Sequence, residues 1–469
     1  MMSSLALREI AEQLHSAYAG PDIAVSGVAT DSRRINAGDI YVALRGERFD
    51  GHDFIAAAAA QGACAAVVST AVESAPAASV LPQLRVDDTR AALGLIARMN
   101  RRRFEGPLIG VTGSAGKTTC KEMLAAILAQ CGPTLATQGN LNNEIGVPLT
   151  LLGIAPEHRF AVIEMGAARS GDIAYLCRFA EPDIAIVTAA LPAHLEGFGS
   201  LDTIARTKGE IFAGLRAGGT AIVNIDSEYA ALWRSLAGDH RVTTFGLDPA
   251  AEVSAVSIVR SAAATQFELR SPAGTIAIEL HLPGLHNVRN ALAAAAAAIA
   301  AGASLTAIAA GLAQLRPVPG RLQSKTGLHG EIVIDDSYNA NPGAVKAAID
   351  VLAEYPGRRR LILGNMAELG PTAEQLHREV ALYAAERGIE ELWCVGPHAQ
   401  LQVAAFVISH HEESVSARSF ADNAELIAAL DSAPVVAAAL VKGSRSAGME
   451  IVVAALCGTA NTAPAGGAH

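Results

Sequence analysis

A long, strongly apolar run is what this chain of 469 residues does not have, although 51% of it is hydrophobic. Much of that fraction is alanine, which favours helices. The most apolar stretch, ALAAAAAAIAA after Asn290, falls short of the roughly 20 strongly apolar residues a bilayer requires, so no membrane insertion is expected. Cysteine is scarce. Cys64, Cys120, Cys131, Cys177, Cys394 and Cys457 are scattered without paired spacing, which argues against a zinc site or a disulfide framework and predicts reduced, mostly buried thiols. The start, MMSSLALREIAEQL, lacks a cationic segment followed by an apolar core and a small-residue cleavage site. No secretory signal and a cytoplasmic location are expected.

Positive charge is also in short supply. Lys and Arg number 36 against 46 Asp and Glu, for a formal net charge of −10, which leaves no general basic face for nucleic acid. The one basic cluster, Arg101-Arg102-Arg103, reads as a solvated interdomain segment. No repeat of fixed period is present, which excludes a solenoid.

What is present centres on LIGVTGSAGKTT, Leu108 to Thr119. An apolar run with strand character leads into a glycine-punctuated turn and then into the helical stretch KEMLAAILAQ. Such a turn offers backbone N–H groups to phosphate at the head of a helix, with Lys117 as a cation and Thr118 as a hydroxyl ligand for Mg²⁺. Gly113, Ser114, Ala115, Gly116, Lys117, Thr118 and Thr119 form this predicted cradle. Its pattern is GxxGKT, with Val111 at the place where the longer motif has its first glycine.

The length suggests three domains. Residues 1–104 begin with an amphipathic helix and alternate short strands with polar turns in DSRRI, GDIYVALRG and FDGHDF, where ligand contacts usually sit. Residues 105–316 alternate buried-type strands, LIGVTG, FAVIEMG, IAIVTAA and TAIVNID, with helices, which predicts an α/β fold with a mainly parallel sheet. Residues 317–459 begin a second alternation after RPVPGR, in EIVIDDSYN, RRLILGNMAELG, ELWCVG and VVAAALVKGSR, so a second parallel sheet is expected with its active edge toward the central domain. The Pro317–Pro319 segment is the hinge candidate. The tail, 460–469, is rich in small residues and expected to be disordered.

Ligands of such sheets collect at the carboxyl ends of strands. Glu164 falls there and suits Mg²⁺, which wants hard oxygen ligands. His194 and Glu196 follow IAIVTAA, and Asn140, Asn142, Asn143 and Glu144 sit in the loop GNLNNEIGVP. A protonated Lys208 near metal ions would be repelled, so it must pair with phosphate, sit elsewhere or be chemically changed. In GLHNVRNALAA, His286, Asn287 and Asn290 can cap a helix or reach a purine, and spacing alone favours capping. Asp335, Asp336, Tyr338, Asn339 and Asn341 of DDSYNANP suggest ribose and base contacts. Lys442 and Arg445 of VKGSRSAGME suit phosphate or carboxylate.

Taken in order, GSAGKTT, FAVIEMG, PAHLEGFGS, TKGEIF, GLHNVRNALAA, PGRLQ, DDSYNANP and VKGSR resemble the successive motifs of the Mur ligase family, from about Asp31 to Met449. The resemblance implies an N-terminal domain for a UDP-muramoyl peptide, a central P-loop ATPase and a C-terminal Rossmann-like domain. It implies ATP and Mg²⁺ as cofactors and UDP-N-acetylmuramoyl-tripeptide and D-alanyl-D-alanine as substrates; a monomer is expected, although the sequence does not fix the oligomeric state. The wording of DSRRINAGDIYVALRGERFDGHDF, GNLNNEIGVPLTLL, AHLEGFGS, DDSYNANP and LGNMAELG favours those substrates over the ones that sibling ligases or folylpolyglutamate synthetase use. A nucleotide-gated binding protein without ligation is the rival from another class; it would hydrolyse ATP without an amine acceptor.

Carried over by resemblance, Lys117 would stabilise the γ-phosphate, and Thr118 and Glu164 would hold one magnesium. His194 would ligate a second metal, and Lys208 would become a carbamate that ligates metal. Asn287, Asn290, Arg321, Asp336, Tyr338, Asn339 and Asn341 would hold the nucleotide. Ser32, Arg33, Arg45 and Gly46 resemble UDP-side contacts, and Asn140, Asn142 and Asn143 contacts to the muramoyl peptide. Lys442 and Arg445 are similar to residues near the incoming amine and the phosphates. Two departures stand out: Ala189-Ala190-Leu191 where relatives usually have Asn-Ile-Gly, and Asn365 where an aspartate is usual.

Overall fold

The computed structural model describes residues 2, 4–71, 81–409 and 415–459, so the expectation for 460–469 lies outside the described residues. Besides a short antiparallel pair, Leu5–Ala6 with Ala24–Val25, its strands form three sheets. Four parallel strands, Gly27–Ala29, Asp39–Val42, Ala65–Val68 and Gln83–Arg85, make the first in that order.

The second sheet has Leu108–Thr112 third from one edge, between Phe160–Glu164 on one side and Ile184–Val187 on the other. Thr134–Ala136 lies beyond the first neighbour, and Thr220–Asn224 and Arg241–Gly246 continue beyond the second, all parallel. These strands are near-continuous apolar runs because both faces are covered. Ile109, Val111, Val162 and Ile186 enter one core, whereas Leu108, Ile163, Ala185 and Val187 enter the other.

The sheet then departs from the expected alternation. Val253–Arg260 pairs in parallel with Arg241–Gly246, and Thr265–Ser271 and Gly274–Leu280 add two antiparallel edge strands. They bury only alternate residues, so no unbroken apolar run marks them in the sequence. The third sheet runs Gln323–Thr326, Ile332–Asp336, Ala438–Lys442, Arg359–Leu363, Glu391–Val395, Ser416–Phe420, parallel except for the antiparallel first strand.

The alanine run belongs to the helix Leu285–Ala300, in which Ala291 to Ala298 are all fully buried. It packs on the helix Lys117–Ala129 that follows the cradle. Side chains this small let two helices approach closely, and this is why so apolar a run needs no membrane.

Of Arg101-Arg102-Arg103, expected as a solvated segment, Arg102 and Arg103 are exposed, but the expectation for Arg101 is corrected by the structure. Arg101 and Arg102 end the helix Thr89–Arg102, with Arg103 at its C-cap, and Arg101 is fully buried. Its guanidinium donates to the carbonyls of Ala180, at 2.8 Å, and Glu181, at 2.9 Å, and to Asp183 Oδ2 at 2.6 Å. Asp183 Oδ2 also accepts from the Leu108 N–H at 2.8 Å. A guanidinium carries five fixed donors, so it can satisfy several buried acceptors at once, which a solvated basic run would not do. Arg102 pairs with Glu181 and Arg103 with Glu9. Arg101 thus ties the N-terminal helix to the foot of the cradle strand. Arg101→Ala is expected to cost about 2–3 kcal/mol of stability by leaving these acceptors unpaired. Arg101→Lys should recover little of it, since one ammonium cannot span them. Thermal unfolding checks this, and a wild-type midpoint for Arg101→Lys would refute it.

Candidate active site

The parallel register sets the site. Val111 is level with Glu164 and Thr112 with Val187, so the cradle, Glu164 and Thr188 emerge together at one carboxyl edge. Gly113 and Gly116 have φ of +147° and +80°, and the room around them is already taken. A Cβ on Gly113 would sit 2.0 Å from Thr188 Oγ1, and one on Gly116 2.4 Å from Asn290 Oδ1. Only glycine fits that backbone at such approach. Thr188 Oγ1 donates to the Ala115 carbonyl at 2.6 Å, and the Ser114 N–H donates to the Ala189 carbonyl at 2.8 Å. Ala189, one of the departures, therefore supports the turn through its backbone.

Gly116 caps the helix that Lys117, Thr118 and Thr119 open, so unpaired N–H groups and the positive helix end point at any phosphate there. Lys117 Nζ donates to the Gly113 carbonyl at 2.7 Å. Burial lowers its pKa, against the attraction of Glu164.

A cleft of about 840 Å³ is lined by the cradle together with Asn140, Asn142, Asn143, Glu164 and His194. Glu164 is buried; its Oε1 accepts from Asn142 Nδ2 at 2.8 Å, while Oε2 has no partner. Ser114 Oγ is likewise buried and unpartnered. A buried carboxylate oxygen left without a donor suits a cation. No cluster of three or more His, Cys, Asp and Glu able to hold a metal occurs among the described residues, so phosphate oxygens would have to complete any coordination shell. His194 has φ +54°, and its Nδ1 contacts Glu368 Oε2 of the LGNMAELG loop. Lys208 is buried on the helix Leu201–Ala213 beneath the cleft rather than lining it, with Nζ 3.3 Å from the Ala167 carbonyl and 5.4 Å from the Phe198 ring centroid. Burial, and then the charge of Lys117, brings its pKa down to about 7.

The third sheet supplies the opposite wall. Asp336 and Lys442 end adjacent strands in register, and their side chains pair at 2.5 Å. Burial raises the Asp336 pKa although Lys442 opposes it. Lys442 also donates to the Asn339 carbonyl at 2.8 Å. Arg321 lies over the Tyr338 ring, 4.4 Å from its centroid, and Asn341 Nδ2 reaches the Ser114 carbonyl at 3.5 Å. The capping that spacing favoured is not what the structure shows: Gly284 holds the N-cap position with no side-chain cap, Asn287 donates to the Pro283 carbonyl and Asn290 to Asn287 Oδ1, and both asparagines line the cleft.

Some candidates stand apart. Ser32, Arg33, Arg45 and Gly46 do not line this cleft. Arg33 pairs with Asp31 and Arg45 with Asp50, both on the first domain's surface. Arg45 is nonetheless linked to the cleft, because Arg90 donates to its carbonyl at 2.8 Å and lies 3.9 Å from Glu144. Arg445 is outside as well, 5.8 Å from the Tyr338 centroid and paired with Glu450. Asn365 is set back from the cleft, and its buried Oδ1 lacks a partner. Sequence reasoning passed over Asp226 and Arg289, which line the cleft as a pair at 3.0 Å. Asp226 is the last residue of TAIVNID, where a polar residue at a strand tip was the available signal.

Comparison with known proteins agrees with this geometry. The Mur ligase family catalytic domain matches residues 24–101, the Mur ligase middle domain 111–298, and the Mur ligase glutamate ligase domain 320–445. The chain is 45% identical over 97% of its length to UDP-N-acetylmuramoyl-tripeptide–D-alanyl-D-alanine ligase of Escherichia coli strain K12, covering 99% of that protein. Among solved structures it resembles MurF from Acinetobacter baumannii, with TM-score 0.90, 34% identity and coverage of 97% and 99% of the two chains. It also resembles the MurF ligase from Thermotoga maritima in complex with ADP, with TM-score 0.80, 26% identity and coverage of 92% and 97%. With three domain matches in order along its length, the chain belongs to the Mur ligase family.

Proposed function

We propose that this protein is an ATP-dependent ligase that joins D-alanyl-D-alanine to UDP-N-acetylmuramoyl-tripeptide. The observation that carries the reading is the meeting of two sheet edges on one cleft, with a phosphate cradle and an unpartnered buried carboxylate on one wall and Asp336, Tyr338 and Lys442 on the other. The near full-length likeness to the Escherichia coli ligase supports the choice of substrates. Residues 1–104 receive the UDP-muramoyl peptide, with Ser32, Arg33, Arg45 and Gly46 on the UDP side. Residues 105–316 hold ATP, and residues 317–459 close over the nucleotide. The protein acts as a monomer in the cytoplasm, where ATP is available.

A carboxylate does not react with an amine until one oxygen becomes a good leaving group. The terminal carboxylate oxygen of the tripeptide bonds to the γ-phosphorus, the bond from phosphorus to ADP breaks, and ADP departs. The amine of D-alanyl-D-alanine then bonds to the acyl carbon, its proton is lost, and phosphate leaves with the former carboxylate oxygen.

The cradle N–H groups and Lys117 hold the phosphates where negative charge moves. Arg321, Asn287, Asn290, Tyr338, Asn339, Asn341 and Asp336 hold the nucleotide. Asn140, Asn142 and Asn143 orient the peptide, and Lys442 and Arg445 serve the incoming amine and phosphate. Magnesium at Thr118 and Glu164, and a second ion at His194 and Lys208, would offset the charge of the phosphate oxygens. Lys208 fits this as a carbamate: carbon dioxide reacts with a free amine, and a lysine brought down to about 7 supplies one near neutrality.

Phosphate release should require both UDP-N-acetylmuramoyl-tripeptide and D-alanyl-D-alanine, as a coupled assay and product mass will report. Turnover with D-glutamate or a diamino acid instead would overturn the assignment. Lys208→Ala should lose activity and recover part of it with short carboxylates; full activity in that variant would end the carbamate reading. Because only the neutral amine reacts, carbamate formation at fixed dissolved carbon dioxide should rise as pH passes upward through about 7. Carbon-13 NMR with labelled carbon dioxide would follow it, and a signal that persists in Lys208→Ala would assign it elsewhere.

A further inference from the structure

Six residues other than glycine have positive φ in the described chain, and two of them touch each other across the domain boundary. His194, at φ +54°, follows the central strand Ile184–Val187, and Glu368, at φ +62°, belongs to the C-terminal loop between Arg359–Leu363 and the helix Ala373–Glu386. Left-handed backbone at such residues is strained and persists where surrounding structure holds it, often at functional sites. Here the two strained turns meet through two bonds. His194 Nδ1 contacts Glu368 Oε2, and the Glu196 N–H donates to the Glu368 carbonyl at 3.3 Å.

We propose that Glu368 is a positioning residue for His194, supplied by the C-terminal domain to complete the metal site of the central domain. An ionised carboxylate only accepts, so the imidazole must donate from Nδ1. That choice leaves the Nε2 lone pair for a metal, and Nε2 has no hydrogen-bond partner among the described residues. The carboxylate also fixes the ring's orientation as a ligand. His194 lines the same cleft as Thr118 and Glu164. With side chains 40% and 55% exposed, the pair contributes little to stability, and its value lies in geometry. Closure of the C-terminal domain and assembly of the second metal position thereby become one event. This inference rests on the proposed role of His194 as a metal ligand.

The test counts bound Mn²⁺ by the electron paramagnetic resonance of the free ion, with the full-length protein and a non-hydrolysable ATP analogue. Wild type should bind two ions. In Glu368→Ala the second ion should bind at least about ten-fold more weakly, as in His194→Ala, while the first is unchanged. Glu368→Gln should retain most of the affinity, because its amide oxygen still accepts from Nδ1–H. Melting midpoints near wild type, expected for so exposed a carboxylate, keep the comparison clean. If Glu368→Ala binds both ions as wild type does while His194→Ala loses one, the positioning role is refuted. If His194→Ala also keeps both, the metal role of His194 fails, and the inference with it.

Discussion

The turn from Gly113 to Gly116 can present its N–H groups only because nothing but hydrogen stands on two of its α-carbons. Thr188 fills the space beside Gly113, and Asn290 fills the space beside Gly116. One neighbour comes from the adjacent strand tip and the other from the alanine helix, so sheet and helix must both be in place before the turn has its shape. Much else follows from that confinement. Ala291 and Ala293 to Ala298 permit the helix to approach, and the apolar strands are buried on both faces because helices cover them.

Charge is distributed around this turn in a way that burial alone would not tolerate. Lys117, Glu164 and Lys208 lie in reach of one another's fields, and Asp336 and Lys442 neutralise each other on the facing wall. Desolvation pushes the Lys117 and Lys208 ammonium groups toward their neutral form and the Asp336 carboxyl toward protonation. A site in this state is suited to ligands that bring charge of both signs. Perturbed groups of this kind converge where chemistry is done.

Much of the site was legible in the sequence because its residues sit at strand tips, and a strand tip is marked by the end of an apolar run. Glu164, Asp336 and Lys442 were found in this way, and each lines the cleft. Arg101 was misjudged for the same reason that such residues usually are: an arginine in a basic run looks solvated until the carbonyls that receive it are known. The antiparallel edge strands were missed because half-buried strands carry a weaker pattern. Glu368 could not be joined to His194, since 174 residues separate them and only the packing of two domains brings them together. Asn365 remains a departure whose buried oxygen the structure leaves unexplained.

The helix Thr89–Arg102 bears on how the chain divides as a set of modules. Leu93, Ile96 and Ala97 share a core with Leu108, Val147 and Phe179, and that core also takes in Leu5, Ile10 and Ile40. Two cores beyond residue 320 contain no buried residue from before it. By the count of domains there are three pieces, but by shared interior there are two. A fragment cut between the first and second domains would carry a raw apolar surface on each half, whereas one cut near Pro317 would leave both interiors closed. Recombination among related ligases should therefore respect the second junction far more readily than the first.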